Sequence, residues 1–355
     1  MKTRDTFQDV LRRGAVIPAS PLALTAARRL DERRQRGLWR YYAAAGAGGI
    51  AVGVHTTQFE IRDPKHGLLR PVLELAAEEM TRLDARRKTP LVRIAGICGP
   101  TPQAVAEARL AADLGFHAGL VSLAARSPRA SEDDLAGHCR AVAEVIPLVG
   151  FYLQPAVGGR VLPYRFWRRF AEIERAAAIK IAPFSRYRTI DVVRAIAETG
   201  RQDIALYTGN DDNIVADLVT PFRFRVAGRW VERRIVGGLL GQWSIWTRKA
   251  VDLLQRCHRV AAAGGAAPAG LLRLGVQLTD ANAAVFDAAN GFGGCIPGIH
   301  EVLRRQGLLA GTWCLNPDLR LGPGQREEID RVLAAYPHLT DDNFVTTHRD
   351  EWLKD

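Results

Sequence analysis

The chain has 355 residues, 47% hydrophobic and 25% charged, an ordinary soluble composition with room for one large core or two moderate ones. Its formal net charge of +11 comes from arginines spread along the whole length, and no zinc-finger, RNA-recognition or helix-turn-helix pattern accompanies them. That argues against a specific nucleic-acid reader; the lack of any apolar run near the roughly 18 residues of a bilayer span argues against a membrane helix.

The first residues, MKTRDTFQDVLRRG, have neither the apolar core nor the cleavage site of a signal peptide, so a cytoplasmic protein is expected. A first strand is predicted at 14–18, then a helix at 30–45 stopped by Gly46-Ala47-Gly48-Gly49, since glycine accepts the left-handed C-cap. Further strands are predicted at 50–54, 90–97, 118–123, 148–153, 178–181, 204–207 and 235–240, each a short aliphatic or β-branched run. Between them lie amphipathic helices at 71–86, 101–114, 131–145, 164–173 and 189–199, with another at 246–263. The helix at 131–145 opens on Glu132, Asp133 and Asp134, the sign its macrodipole favours. Residues 222–235 (FRFRVAGRWVERRI) alternate large and charged side chains about Ala227-Gly228 and read as a β-hairpin before the eighth strand. Beyond about 268, helical stretches at 271–289, 298–306 and 325–335, punctuated by Pro297, Pro317 and Pro323, are expected to pack on the flank.

Eight strands alternating with helices imply a parallel sheet with right-handed crossovers, and eight units suit a closed (β/α)8 TIM barrel, an α/β fold. No G-x-G-x-x-G follows the first strand, which removes the main support for a dinucleotide fold. The expected division is a barrel with its hairpin over 1–267 and a C-terminal helical extension over 268–355.

Chemistry in such a barrel gathers at the C-terminal ends of strands. Three ends stand out: His55-Thr56-Thr57, Tyr152-Leu153-Gln154-Pro155 and Ile179-Lys180-Ile181. Burial of Lys180 would lower its pKa and free a neutral amine to attack a carbonyl and form an imine. The bland alternatives stand beside this: a lysine that snorkels or meets a carboxylate, a tyrosine that merely packs, a threonine pair in an ordinary turn. Cys98, Cys139, Cys257, Cys295 and Cys314 form no C-x-x-C pair, so buried thiols are expected rather than disulfides or zinc, and no metal or organic cofactor is called for.

Taken in order, these motifs resemble the dihydrodipicolinate synthase and N-acetylneuraminate lyase family. AAAGAGGIAVGVHTTQ is similar to that family's helix–glycine–strand passage ending in a threonine pair, YLQPAVGGRVLPYRFWRRFAEI to its Tyr-x-x-Pro segment, and AAIKIAP to its lysine strand. Tyr152 precedes Lys180 by 28 residues, the family's usual gap, and the resemblance runs from about Gly14 into the C-terminal helices. It implies a Schiff base on Lys180, proton transfer by Tyr152, a relay from Thr57 to Tyr152, and a substrate carboxylate held by the backbone amides of Thr56 and Thr57.

The departures matter equally. His55 and Phe59 replace the glycine and the acid of the family's Gly-Thr-Thr-Gly-Glu, which makes His55 a candidate substrate contact. Val157 stands where the synthases using aspartate semialdehyde carry arginine, and SLAARSPRAS lacks the tyrosine they lend to a neighbouring subunit, so that reaction is not expected. Gln154 offers an amide to a different substrate. The stretch 207–212 resembles a substrate segment of the sugar-acid lyases, making Gly209 and Asp211 candidate contacts, although Asp211 and Asp212 could equally cap the next helix.

The expected activity is that of a class I lyase, an aldolase or dehydratase acting on a pyruvate-like 2-oxo acid through Lys180. The alternatives are a hydratase-aldolase for apolar or aromatic 2-oxo acids and a non-catalytic binding or regulatory relative. A homo-oligomer is expected from the apolar flank and the C-terminal helices.

Overall fold

A computed structural model describes residues 5–354, so the first four residues of the stretch read against a signal peptide lie outside the described chain. Eight parallel strands carry the fold: β1 (Val16–Pro18), β2 (Gly49–Val52), β3 (Val92–Ile97), β4 (Ala118–Val121), β5 (Leu148–Leu153), β6 (Ala176–Ala182), β7 (Ala205–Thr208) and, after the hairpin strands β8 (Phe222–Val226) and β9 (Arg229–Arg233), β10 (Ile235–Leu240). Their order is β1-β10-β7-β6-β5-β4-β3-β2. A parallel bridge from Ala19 to Ala51, with the Ser20 amide donating to the Ala51 carbonyl at 2.8 Å, brings the first strand onto the second and closes the (β/α)8 barrel. The strands fall within about two residues of the positions read from the sequence.

Side chains alternate along each strand and sort into two cores. Ile17, Ile94, Leu120, Val149, Ala178 and Leu239 fill the barrel, whereas Ile50, Ile97, Ile179 and Ile181 face the surrounding helices. The N-terminal end is plugged by α1 (Phe7–Arg13), a helix too short to show periodicity in the sequence. A capping box between Thr6 and Asp9 starts it, and Val10 and Leu11 enter the barrel core. The Tyr207 hydroxyl donates to the Leu11 carbonyl at 2.9 Å, so this phenol points to the closed end.

The expected hairpin is present, turned by Ala227 and Gly228 at φ 46° and 81°. The Arg233 guanidinium donates to the Arg201 and Ile204 carbonyls at 3.0 and 2.6 Å, just before β7, so the hairpin sits at the end opposite the mouth and lids nothing. Past the barrel come α10 (Ala269–Val285), α11 (Cys295–Arg305), α12 (Gln325–Ala335) and an unanticipated α13 (Asp342–Trp352). They are not confined to the flank. Gly241, at the end of β10, is a methyl's width from Phe286 and Ile299 of the extension, which therefore reaches over the mouth.

Candidate active site

Lys180 is the last but two residue of β6 and points inward with Ala178 and Ala182. Its stem lies against β7's end: a Cβ at Gly209 would come 2.8 Å from the Lys180 Cε, so only glycine leaves the lysine its place. Its Nζ stands 4.5 Å from the centre of the Phe151 ring and makes no contact ion pair among the described residues. Burial pushes its pKa below the ordinary lysine value, and the charge of Asp211 opposes that shift only in part.

The amine faces a cavity of about 60 Å3 whose polar lining includes His55, Thr56, Gln154 and Asp211. A single buried water needs roughly 10–15 Å3 on this measure, so the cavity accepts a molecule of several heavy atoms. Thr56 and His55 lie on a 3-10 turn, His55–Thr57, directly after β2. The turn is anchored from below. Arg62 donates to the Gly53 and Gly96 carbonyls at 3.1 and 2.9 Å and pairs with the buried Glu107. Thr56 Oγ1 donates to the Ala19 carbonyl at 2.7 Å, and Thr57 Oγ1 donates to the Ser20 carbonyl at 2.7 Å while accepting from the Gly53 amide at 3.0 Å. The Thr57 amide is also engaged, with the Val54 carbonyl at 3.0 Å. Thr57 is thus a strut of the turn; Thr56 and His55 are what it presents. Burial, then the nearby Lys180 charge, bring the His55 imidazole down to about 4 and keep it neutral.

Tyr152 is not brought to Lys180. Its side chain is fully buried on the outer face of β5, with its ring 5.6 Å from that of Trp167, and its hydroxyl accepts from the Leu162 amide at 3.2 Å. The relay from Thr57 to Tyr152 expected from the resemblance is therefore not formed. The reason lies in the strand register. At the base of the pair, Leu148 sits opposite Ala176, but the register then slips and Val149 meets Ala178. One extra residue, Ala177, has entered β6, so Lys180 lies opposite Phe151 and Tyr152 opposite Ile181. Among the described residues no tyrosine lines the cavity.

Asp211 does not cap the helix after β7. That helix, α8 (Ile214–Val219), begins at Asn213, and Asp211 faces the cavity, its Oδ1 accepting from the Gln242 amide at 3.4 Å. Its backbone is held by Asn282, whose amide nitrogen donates to the Asp211 carbonyl at 2.7 Å. Burial raises the Asp211 carboxyl above the usual range against the pull of Lys180. The neighbouring Asn210 is a positioning residue that sequence reading missed. It donates to Asp217 at 2.9 Å and to Thr189 at 3.0 Å, and accepts from the Phe184 amide at 3.0 Å, tying the ends of β6 and β7 together.

Among the described residues no group of three His, Cys, Asp or Glu side chains is arranged to hold a metal ion, and no helix is long and apolar enough to cross a membrane.

No protein-family model and no curated protein matches the chain. Solved structures do. A dihydrodipicolinate synthase from Agrobacterium tumefaciens superposes with a TM-score of 0.72 at 18% identity, over 93% of this chain and 99% of its own. An N-acetylneuraminate lyase from Fusobacterium nucleatum gives 0.68 at 15%, over 92% and 99%. YagE, an E. coli K12 prophage protein of the dihydrodipicolinic acid synthase family solved with pyruvate, gives 0.70 at 16%, over 92% and 98%. The chain has the fold of the dihydrodipicolinate synthases and N-acetylneuraminate lyases.

Within that synthase–lyase fold the cavity is largely apolar, in line with the apolar Val157 read from the sequence, whereas Phe59 is not among its described lining residues. Phe151, Leu153 and Val157 line it, as do Phe184 and Phe292, which meet edge-to-face with ring centres 5.6 Å apart. Both phenylalanines of that pair sit at positive φ, 49° and 68°, a conformation that costs a non-glycine residue about 1–2 kcal/mol. Beyond Val157, a sequence signal for the aromatic pair was Phe292 set among glycines, Gly291-Phe292-Gly293-Gly294.

Proposed function

We propose that this chain is a class I lyase that binds a 2-oxo acid through a Schiff base on Lys180. The observation that carries the reading is an amine inside a barrel mouth, facing a cavity, with no contacting counter-ion and with burial favouring its neutral form. A neutral amine adds to a 2-oxo carbon, water leaves, and the protonated imine then draws electrons from the adjacent C–H, C–C or C–O bond. The Thr56 backbone amide, rather than its hydroxyl whose proton goes to the Ala19 carbonyl, is suited to the substrate carboxylate, and Gln154 to a polar group beyond C2. YagE, which shares the fold, was solved with pyruvate, which makes pyruvate the first ligand to try.

A second reading concerns the partner molecule. Phe151, Leu153, Val157, Phe184 and Phe292 favour an apolar or aromatic 2-oxo acid or aldehyde over a sugar acid or an aspartate semialdehyde, whose second carboxylate would meet Val157. In either case the barrel at 1–267 supplies the lysine and the extension at 268–355 completes the enclosure. A cytoplasmic homo-oligomer goes with this reading.

Borohydride reduction with pyruvate, followed by peptide mass spectrometry, tests the chemistry. The expected result is a reduced adduct on Lys180 that Lys180→Ala lacks. No adduct with pyruvate or with larger 2-oxo acids such as phenylpyruvate would overturn it.

A further inference from the structure

Resting on the Schiff-base reading, we infer that Asp211 is the group that gives and takes the proton during imine and enamine formation. Imine chemistry needs such a group beside the amine, and the register of β5 and β6 denies the cavity a phenol: Phe151 occupies the inward position and Tyr152 faces Trp167. The titratable groups around the cavity are few. His55 is held neutral by burial and by Lys180, Cys295 is a thiol that burial pushes up to about 12, and Asp212 is adjacent in the chain with its own carboxyl raised by burial. Asp212 does not line the cavity; Asp211 does.

Its geometry suits the task. One carboxylate oxygen takes only a long 3.4 Å bond from the Gln242 amide, and the other accepts from no described residue, so a proton can reside there. The backbone beneath is fixed by Asn282. Gly209, two residues before, is packed on the Lys180 stem, so the loop carrying Asp211 starts at the lysine itself. Burial favours the neutral forms of both partners, which is the pair imine formation requires: an amine with a free electron pair and an acid with a proton to donate.

The sequence of steps balances without any further reactant. Lys180 Nζ forms a bond to C2 while the carbonyl π pair moves to oxygen; Asp211 protonates that oxygen and its carboxylate takes a proton from the nitrogen. Asp211, again protonated, gives its proton to the C2 hydroxyl, which departs as water with the C–O pair, leaving a protonated imine beside a carboxylate. The carboxylate then removes a proton from C3, and the C–H pair becomes the enamine π bond.

The test uses the full chain with pyruvate in D2O, following C3 proton exchange by NMR and borohydride trapping of Lys180 in parallel. Wild type should trap and exchange. Asp211→Asn keeps the shape and cannot titrate; exchange is expected to fall at least about 100-fold, the usual scale of general acid–base catalysis, and trapping to slow with it. Asp211→Ala should regain part of the exchange with added formate. A merely electrostatic Asp211 gives the opposite sign, because losing its charge lowers the Lys180 pKa further and speeds trapping at neutral pH. Asp211→Asn that traps faster, or exchanges within about threefold of wild type, overturns the assignment while the Schiff base stands. Wild type that neither traps nor exchanges overturns both.

Discussion

Tyr152→Phe separates what the motif implies from what the barrel does with it. The substitution removes one oxygen, whose one hydrogen bond among the described residues is from the Leu162 amide at 3.2 Å, in a fully buried position against Trp167. Leaving that buried N–H without an acceptor costs about 1–3 kcal/mol of folding stability. Were the phenol the general acid–base, its loss would instead cost about 10²–10⁴ in rate, or about 3–5 kcal/mol in the barrier, at little cost to the fold. We therefore expect urea unfolding of Tyr152→Phe to show a loss of about 1–3 kcal/mol. Borohydride trapping and C3 exchange per folded molecule should stay within about threefold of wild type. A rate falling 100-fold with an unchanged unfolding curve would refute the outward placement of Tyr152 and return the phenol to the cavity.

Other expectations follow from the same geometry. Gly209→Ala places a methyl 2.8 Å from the Lys180 Cε, so trapping should drop by about tenfold or more while circular dichroism stays unchanged; normal trapping would mean that the stem is not confined there. Phe292→Ala should weaken competition by phenylpyruvate at least about fivefold relative to pyruvate, and an unaltered ratio would count against a role for the aromatic pair. Asp217→Ala removes the acceptor of Arg186, Thr208 and Asn210; the part-exposed Arg186 is rehydrated, but the buried Thr208 and Asn210 donors are left unmet, at a cost of about 1–3 kcal/mol to be read by urea unfolding, and an unchanged unfolding curve would contradict it. His138, which burial lowers from its ordinary 6.5 to about 4, is neutral in the fold while the unfolded chain takes up a proton. Its contribution is therefore complete above about pH 6.5 and fades as pH falls toward 4, so His138→Phe should flatten the stability profile in that window; parallel profiles for variant and wild type would contradict the sign.

The parts of this molecule that could be read from its sequence are those with a strong local cause. Alternating aliphatic strands and amphipathic helices specify the barrel, glycine at the end of a helix specifies where the helix stops, and a lysine inside AAAIKIAPF has little choice but the barrel mouth. The mouth itself is built from residues far apart in the chain. Phe286, Phe292 and Ile299 reach it only because the C-terminal helices cross the barrel top, and nothing in their own neighbourhood announces that destination.

Tyr152 shows a sharper limit. A gap of 28 residues to Lys180 satisfies the spacing of the resembled family, but a strand has a period of two, and one residue more or less in the register turns a side chain from the cavity to the helices. The pairing begins at a separation of 28, between Leu148 and Ala176, and would have set Tyr152 opposite Lys180 had it continued. It becomes 29 at Val149 and Ala178. The slip falls in Ala176-Ala177-Ala178, three identical small side chains that offer no large residue to distinguish inside from outside. Such a run leaves the local sequence indifferent to the extra residue, so the choice passes to the flanking elements. Trp167 and Phe170 on α6 (Tyr164–Ala171) lie directly against Gly150, where a Cβ would come 2.8 Å from Phe170. Gly150 and Tyr152 share the outer face of β5, and the aromatic layer of α6 is where the Tyr152 ring packs, which leaves Phe151 to look inward at the lysine. An aromatic cluster outside the barrel thus accompanies the choice of which chemistry its inside can host.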